Sequence, residues 1–376
     1  MKRIATLLLA AGAVLAFGAG GAKAQDEVVV AVVGPITGSN AVFGEQMKKG
    51  GQLAVDDINA KGGVLGKKLK LLFGDDACDP KQAVAVANQM VSQHVVFIDG
   101  HYCSSASIPA SSVYSENSIL QITPASTNPS LTDDAAKKGW INVFRTVGRD
   151  DVQGTVAGTY LAAHYKGKKV AVLDDKSQYG KGLADETLKA MNKHGMKPAL
   201  HEQITQGDKD FSALITKMKQ AGVVAVYFGG YQTEAGLMVR QMQEQGLKSQ
   251  FISGDALVTD EFWKITGPAG EGTLMTFPPE PRDLPTAKAV VAEFKAQGYD
   301  PEGYTLYTYA AMQVFAQAAA QAKSVKMADL SKALHAHKYN TVVGPITFDK
   351  KGDILNPEYV FYVWHDGKYN QVKGKG

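Results

Sequence analysis

The chain has 376 residues, 40 Lys+Arg against 37 Asp+Glu, and a 45% share of hydrophobic side chains. That length exceeds what a single core usually serves, so two lobes are expected. The near-even charge balance excludes the basic footprint of a nucleic-acid binder.

The first element in chain order is a targeting signal. Lys2 and Arg3 precede an apolar run from Ile4 to Phe17, and Ala22-Lys23-Ala24 supplies a small-x-small cleavage site before Gln25. The apolar run is shorter than the roughly 20 residues a membrane-spanning helix needs. Cleavage after Ala24 predicts an exported, periplasmic protein, and removal of Lys2, Arg3 and Lys23 leaves 37 basic residues against 37 acidic ones. An uncleaved N-terminal anchor is the alternative reading.

The continuous apolar run Val28 to Val33 then reads as a strand buried on both faces. A helix is expected after Gly44, with Met47, Ala54, Val55 and Ile58 on one stripe, stopping at Lys61-Gly62-Gly63. Strand Leu69 to Phe73 follows. Asp79-Pro80 opens a helix with an N-cap acid and a proline in its first turn. Further elements are strand Val95 to Ile98, a helix near Ile108–Asn117, and strand Ile119 to Ile122.

The alternation then restarts with helix Val152–His164, strand Val170–Leu173, helix Gly182–Lys193 and a weak strand near Ala199–Gln203. Helix Phe211–Gln220, strand Val223–Phe228, helix Glu234–Gln245 and strand Phe251–Ser253 complete this half. Strand and helix recurring about every 25 residues signal α/β sheets with right-handed crossovers. The proline-dense stretch Phe277 to Pro285 reads as a connection between lobes. Beyond it, Thr305–Lys323 and Ala328–His337 read as helices, and Ile346–Phe348 and Tyr359–Trp364 as late strands.

Catalytic signatures are absent. There is no G-x-x-x-x-G-K-[ST] phosphate loop, no G-x-G-x-x-G after a strand and no G-x-S-x-G elbow, and neither a cofactor nor a metal is expected. His335 and His337 are two apart, on different faces of a helix, which is poor geometry for a shared metal.

Polar groups instead gather just past strand ends, where open α/β sheets bind ligands. Gly100-His101-Tyr102-Cys103-Ser104-Ser105 and Thr123-Pro124-Ala125-Ser126-Thr127 offer hydroxyls, backbone N–H groups and a helix N-terminus, all suited to a carboxylate. Ordinary capping and turn chemistry would explain the same residues. In the second half Tyr179, Tyr231 and Asp255 follow strands, a set able to hold an ammonium group and cover an apolar body. The two cysteines, Cys78 and Cys103, both fall beyond strands of consecutive βα units. In an oxidising compartment they read first as a disulfide, which would stabilise by about 3.5 kcal/mol in the chain-entropy picture. A nucleophilic Cys103 beside His101, as in an amidase, is the competing reading.

Long runs now carry a resemblance: Val30-Ala31-Val32-Val33-Gly34, Asp56 to Gly63, Asp75 to Asn88, Gly100 to Ser105, Ile122-Thr123-Pro124-Ala125, Gln178-Tyr179-Gly180 and Tyr227 to Tyr231. Over essentially its whole mature length the chain resembles the leucine/isoleucine/valine-binding proteins of bacterial branched-chain amino acid transport. The resemblance implies a type I periplasmic binding fold: two Rossmann-like lobes, joined by a three-segment hinge, with ligand in the cleft. Residues 25–146 with about 277–357 would form one lobe, and about 147–276 with 358–376 the other. It also implies the Cys78–Cys103 disulfide.

Carried over by position, Ser104 and Thr127 would bind the ligand carboxylate, while the Ala125 carbonyl and Asp255 would take the ammonium. Phe43, Tyr102, Tyr179, Tyr231 and Tyr304 would line the side-chain pocket. Three positions depart from the family pattern: Asp255 stands for a glutamate, Phe43 for a tyrosine or tryptophan, and Tyr102 for a leucine. The expected function is a monomeric, non-enzymatic receptor that delivers a branched-chain aliphatic amino acid to the permease and ATPase subunits of an ABC transporter. Another amino acid, γ-aminobutyrate or a short amide is the alternative ligand, and sensing is the alternative task.

Overall fold

A computed structural model describes residues 27–372. The expected signal at 1–24 lies outside the described residues, as do 373–376.

The first half alternates strand and helix: β1 (Val28–Gly34), α1 (Ala41–Ala60), β2 (Leu69–Asp75), α2 (Pro80–Ser92), β3 (Phe97–Gly100), α3 (Ser104–Glu116), β4 (Leu120–Thr123), α4 (Ser130–Lys137) and β5 (Val143–Arg145). These strands form one parallel sheet in the order β2-β1-β3-β4-β5. β1, β3 and β4 are buried along almost every residue, which is why they read as apolar runs rather than alternations. α2 begins where expected, because the Asp79 side chain accepts from the Lys81 and Gln82 N–H groups and Pro80 occupies the first helical position.

The second sheet is built from β6 (Val170–Asp174), β7 (Leu200–Gln203), β8 (Ala225–Gly229), β9 (Gln250–Ser253) and β10 (Leu274–Phe277). They are interleaved with α5 (Asp150–Tyr165), α6 (Gln178–Lys193), α7 (Ser212–Ala221), α8 (Gln232–Glu244) and α9 (Asp260–Thr266). The chain then returns to the first sheet with α10 (Lys288–Ala296), α11 (Thr305–Ala322) and α12 (Met327–Ala336), and forms a small ribbon of β11 (Tyr339–Thr341) and β12 (Gly344–Ile346). α11 packs on α1 and across β3 and β4. A last crossing adds β13 (Val360–His365) and β14 (Lys368–Gln371) antiparallel to the second sheet, whose order is β14-β13-β10-β9-β8-β6-β7.

The chain therefore passes between the sheets three times: between β5 and α5, after β10, and before β13. No helix among the described residues is long and apolar enough to cross a membrane.

Several boundaries differ from expectation. α3 starts at Ser104, not near Ile108, and carries Pro109 inside it. Its first turn is small and buried, so it has no amphipathic stripe to betray a helix. β3 lies two residues later than Val95–Ile98, and the strand expected at Ile346–Phe348 ends at Ile346. α4, β5, β10, α9 and α10 were not anticipated. The strands among them have three or four residues, too few to show a period, and α9 has only seven.

Candidate functional site

The carboxyl ends of both sheets face one small interlobe cavity, lined by Tyr102, Ser104, Ala125, Tyr179, Tyr231, Asp255 and Tyr304. Most of these stand at helix starts. Ser104 opens α3, Tyr179 lies in the first turn of α6, and Tyr231 and Tyr304 are the N-cap residues of α8 and α11. Asp255 begins a short 3₁₀ turn after β9. The starts of α6 and α8 are pinned together because Gly229 carries no side chain: a Cβ there would lie 2.1 Å from the Gly180 carbonyl oxygen.

Asp255 is the electrostatic centre. Its carboxylate accepts from the Tyr179 hydroxyl (2.7 Å), from Gln153 Nε2 (3.0 Å) and from the Tyr304 hydroxyl. Burial pushes its carboxyl up from the ordinary carboxylate range, and the bonds from Tyr304, Tyr179 and Gln153 pull it back down. The tyrosines around it are raised as well: burial first, then the Asp255 charge, raise Tyr102, Tyr179 and Tyr304, so they stay neutral phenols able to donate. No basic side chain lines the cavity. A buried carboxylate without a counter-charge suits a cationic ligand group.

Across the cleft, Ser104 Oγ accepts the Asn128 N–H at 3.3 Å, which leaves its own hydrogen to donate, at the start of a 13-residue helix. Phe43 does not line the cavity. It stacks face to face on Tyr102 with centroids 4.4 Å apart and packs edge-on against Tyr304 at 6.1 Å, holding the pocket wall from behind.

Ser126 and Thr127 also stand outside the cavity lining. The Ser126 hydroxyl is occupied within its own lobe, donating to the Tyr102 and His101 carbonyls and lying 2.6 Å from Ser107 Oγ, so its side chain fastens the loop. Thr127 Oγ1 is buried beside the Asp150 carboxyl, which is itself fully buried.

Residues that sequence reasoning passed over complete the site. Gln153 bridges Asp255 and Thr276, and Asp150 lies one turn earlier on the same face of α5. Burial and the Asp255 charge push the Asp150 carboxyl well up. Gln153 gave no signal because a polar residue on a helix normally faces water.

Besides the Tyr304–Asp255 bond, hydrogen bonds that bridge the lobes around the cavity include Asn128 Nδ2 to the Gln178 carbonyl (2.5 Å), Gln232 Nε2 to the Ser39 carbonyl (2.9 Å), and Glu302 with Thr259 Oγ1 (3.3 Å) and the Asp260 N–H (3.2 Å). A wider groove between α5 and β13 is lined by Thr155, Tyr160, Ala163, Tyr359 and Phe361, among others, with no charged group to orient a zwitterion.

Cys78 and Cys103 are joined in a disulfide with Cα atoms 5.4 Å apart, and no free cysteine remains. Both His101 ring nitrogens are engaged, Nδ1 2.6 Å from Asp76 Oδ2 and Nε2 2.8 Å from the Tyr114 hydroxyl, all buried. The nucleophile and base that an amidase reading needs are both committed to structure.

Two lobes on parallel sheets with a polar, aromatic cleft between them define a solute-binding receptor. The pattern of the periplasmic binding protein family matches residues 27–368, and the chain belongs to that family. It is 50% identical over 369 residues to "Leu/Ile/Val-binding protein homolog 1" of Brucella suis biovar 1 (strain 1330), covering 97% of this chain and 98% of the relative. It is 42% identical over 368 residues to the "Leucine-, isoleucine-, valine-, threonine-, and alanine-binding protein" of Pseudomonas aeruginosa PAO1, covering 97% of each. Among solved structures it is similar to the branched-chain amino acid transporter substrate binding protein LivJ of Streptococcus pneumoniae in complex with isoleucine. That likeness has a TM-score of 0.83 and 25% identity over 93% of this chain and all of the other.

Proposed function

We propose that this protein is a periplasmic receptor, exported by a signal cleaved after Ala24, that captures an aliphatic α-amino acid and delivers it to an ABC permease. One observation carries the reading: a buried, uncompensated Asp255 carboxylate faces a hydroxyl at a helix N-terminus across a cavity walled by aromatic rings. That pairing is complementary to a zwitterion, with Asp255 and the Ala125 carbonyl taking the ammonium and Ser104 with the 125–128 loop taking the carboxylate. Residues 25–146 with about 277–357, and about 147–276 with 358–376, act as the two closing lobes. Ligand that bridges them shifts the population toward the closed form. The names of the relatives support branched-chain or smaller aliphatic ligands.

Within that class the cavity favours a small side chain. The Tyr102 ring occupies the wall, and Phe43 behind it leaves it no room to retreat. Alanine, threonine and valine are therefore expected to bind more tightly than leucine.

The test is calorimetric titration of the mature protein, unfolded and refolded to strip carried ligand, with the twenty amino acids, γ-aminobutyrate and short amides. Tight binding of an aliphatic amino acid supports the reading. Selective binding of γ-aminobutyrate or an amide reassigns the ligand within the same fold, and no binding by any of them rejects the amino-acid receptor.

A further inference from the structure

Behind the cavity stands an ionic cluster whose charged groups do not line it. Arg145, the last residue of β5, is fully buried, and its Nε lies 2.6 Å from Asp353 Oδ1. Its Nη1 donates to the Ser126 carbonyl (2.8 Å), and its Nη2 donates to the Asn128 carbonyl (3.2 Å) and to Thr132 Oγ1 (2.8 Å). Asp353 also takes Arg149 Nη1 at 2.8 Å, and Arg149 reaches Asp133 and Asp151.

The cluster is welded to both outer crossings between the lobes. Arg149 is the residue before α5, on the β5–α5 crossing. Asp353 belongs to the turn that precedes the crossing into β13. That turn is fused to β5 by the Arg145 N–H donating to the Gly352 carbonyl at 3.0 Å. Gly352 is required there: it has φ +92°, and a Cβ would lie 2.1 Å from the Val143 carbonyl oxygen.

The two carbonyls that Arg145 grips bracket Thr127. In a planar trans peptide the N–H points opposite to the C=O, so drawing the Ser126 carbonyl inward turns the Thr127 N–H away from the guanidinium. The neighbouring peptides are held as well, since the Thr127 carbonyl accepts the Asp150 N–H (3.0 Å) and the Asn128 N–H donates to Ser104 Oγ (3.3 Å).

We infer that Arg145 is the positioning residue of the carboxylate subsite: its guanidinium fork fixes the 125–128 loop so that backbone donors face the ligand carboxylate, and through Asp353 and Arg149 it ties that loop to the interlobe crossings. This rests on the amino-acid reading of the cleft. A lysine cannot replace the fork, because one ammonium presents a single point of charge where the guanidinium presents donors in fixed planar directions.

The experiment compares the wild-type protein with Arg145→Lys, titrating refolded protein with L-alanine, L-leucine and their carboxamides, alaninamide and leucinamide. The amides keep the ammonium and side chain and lose only the carboxylate. In Arg145→Lys the dissociation constant of the acids should rise about 10-fold or more, while that of the amides moves less than about 3-fold.

A parallel loss for acids and amides, or no loss for either, overturns the inference, since a merely structural role cannot tell a carboxylate from its amide. Asp353→Asn, which loosens the same fork without removing it, decides the matter by the same differential if the lysine variant does not fold. Failure of wild type to bind either acid would overturn the amino-acid reading, and this inference with it. Binding by wild type with an unchanged acid-to-amide ratio in the variants overturns this inference alone.

Discussion

Replacing Asp255 by asparagine keeps the side chain's shape and removes its charge. In the free protein the change is small. The asparagine oxygen can still accept from the Tyr179 hydroxyl and Gln153, while its amide can donate to the phenolic oxygen of Tyr304. Burial already disfavours the ionised carboxylate, so removing it relieves desolvation, and the unliganded variant should be no less stable than wild type.

Binding should behave differently. Removing one partner of a buried charge pair costs about 2–5 kcal/mol, and at about 1.4 kcal/mol per decade this is a rise of roughly 30- to 4,000-fold in Kd. The pH dependence gives a second handle. A ligand ammonium needs the ionised carboxylate, and Asp255 holds its proton to higher pH than an ordinary aspartate. Wild-type affinity should therefore fall as pH drops toward that raised value, while Asp255→Asn stays flat over the same window. Calorimetric titration with L-alanine or L-valine across that range tests both parts. A Kd within about 3-fold of wild type would refute the reasoning and place the ammonium elsewhere.

Other consequences are as direct. Tyr102→Leu removes the ring that stacks on Phe43, so the leucine-to-alanine affinity ratio should shift toward leucine by at least about 10-fold, the worth of one or two methylenes in a pocket. An unchanged ratio would show that the wall lies elsewhere. Burial, with the nearby Asp260 charge, pushes Glu302 up to about 7 from 4.5. Its folded form thus holds the proton more tightly than its unfolded form. That stability is full below about pH 4.5 and is lost as pH rises to about 7, by roughly 3 kcal/mol. Glu302→Gln should flatten this part of a melting-temperature profile between those limits, leaving the contribution of Asp175, also raised to about 7. Replacing Cys78 and Cys103 together by serine should lower the unfolding free energy by about 3.5 kcal/mol in urea titrations. A loss under about 1 kcal/mol would mean that the Asp76–His101–Tyr114 bonds hold the rim without the bridge.

The βα rhythm was legible wherever an element was long and buried on a simple pattern: β1, α2 with its Asp79-Pro80 start, β6, α8 and α11. It failed where elements were too short to show a period, as in β5 and β10, or where a helix was buried on small residues all round, as at Ser104. Seven of the ten residues expected at the site line one cavity. Phe43, Ser126 and Thr127 do not, because position in the sequence says which residues are near a strand end and not which way each side chain turns.

What the sequence by itself determined was therefore local and periodic. Hydrophobic runs set the strands, caps and glycines set the helix ends, and the position of polar residues just past strands set the candidate rim. Only the tertiary structure decided which distant groups meet. Gln153 reaches Asp255 across 102 positions, Tyr304 reaches it across 49, and Arg145 meets Asp353 where two crossings of the chain run together. Those meetings depend on the order of strands in two sheets and on three passages between them. No periodicity encodes that order, because it is fixed only when the two cores pack.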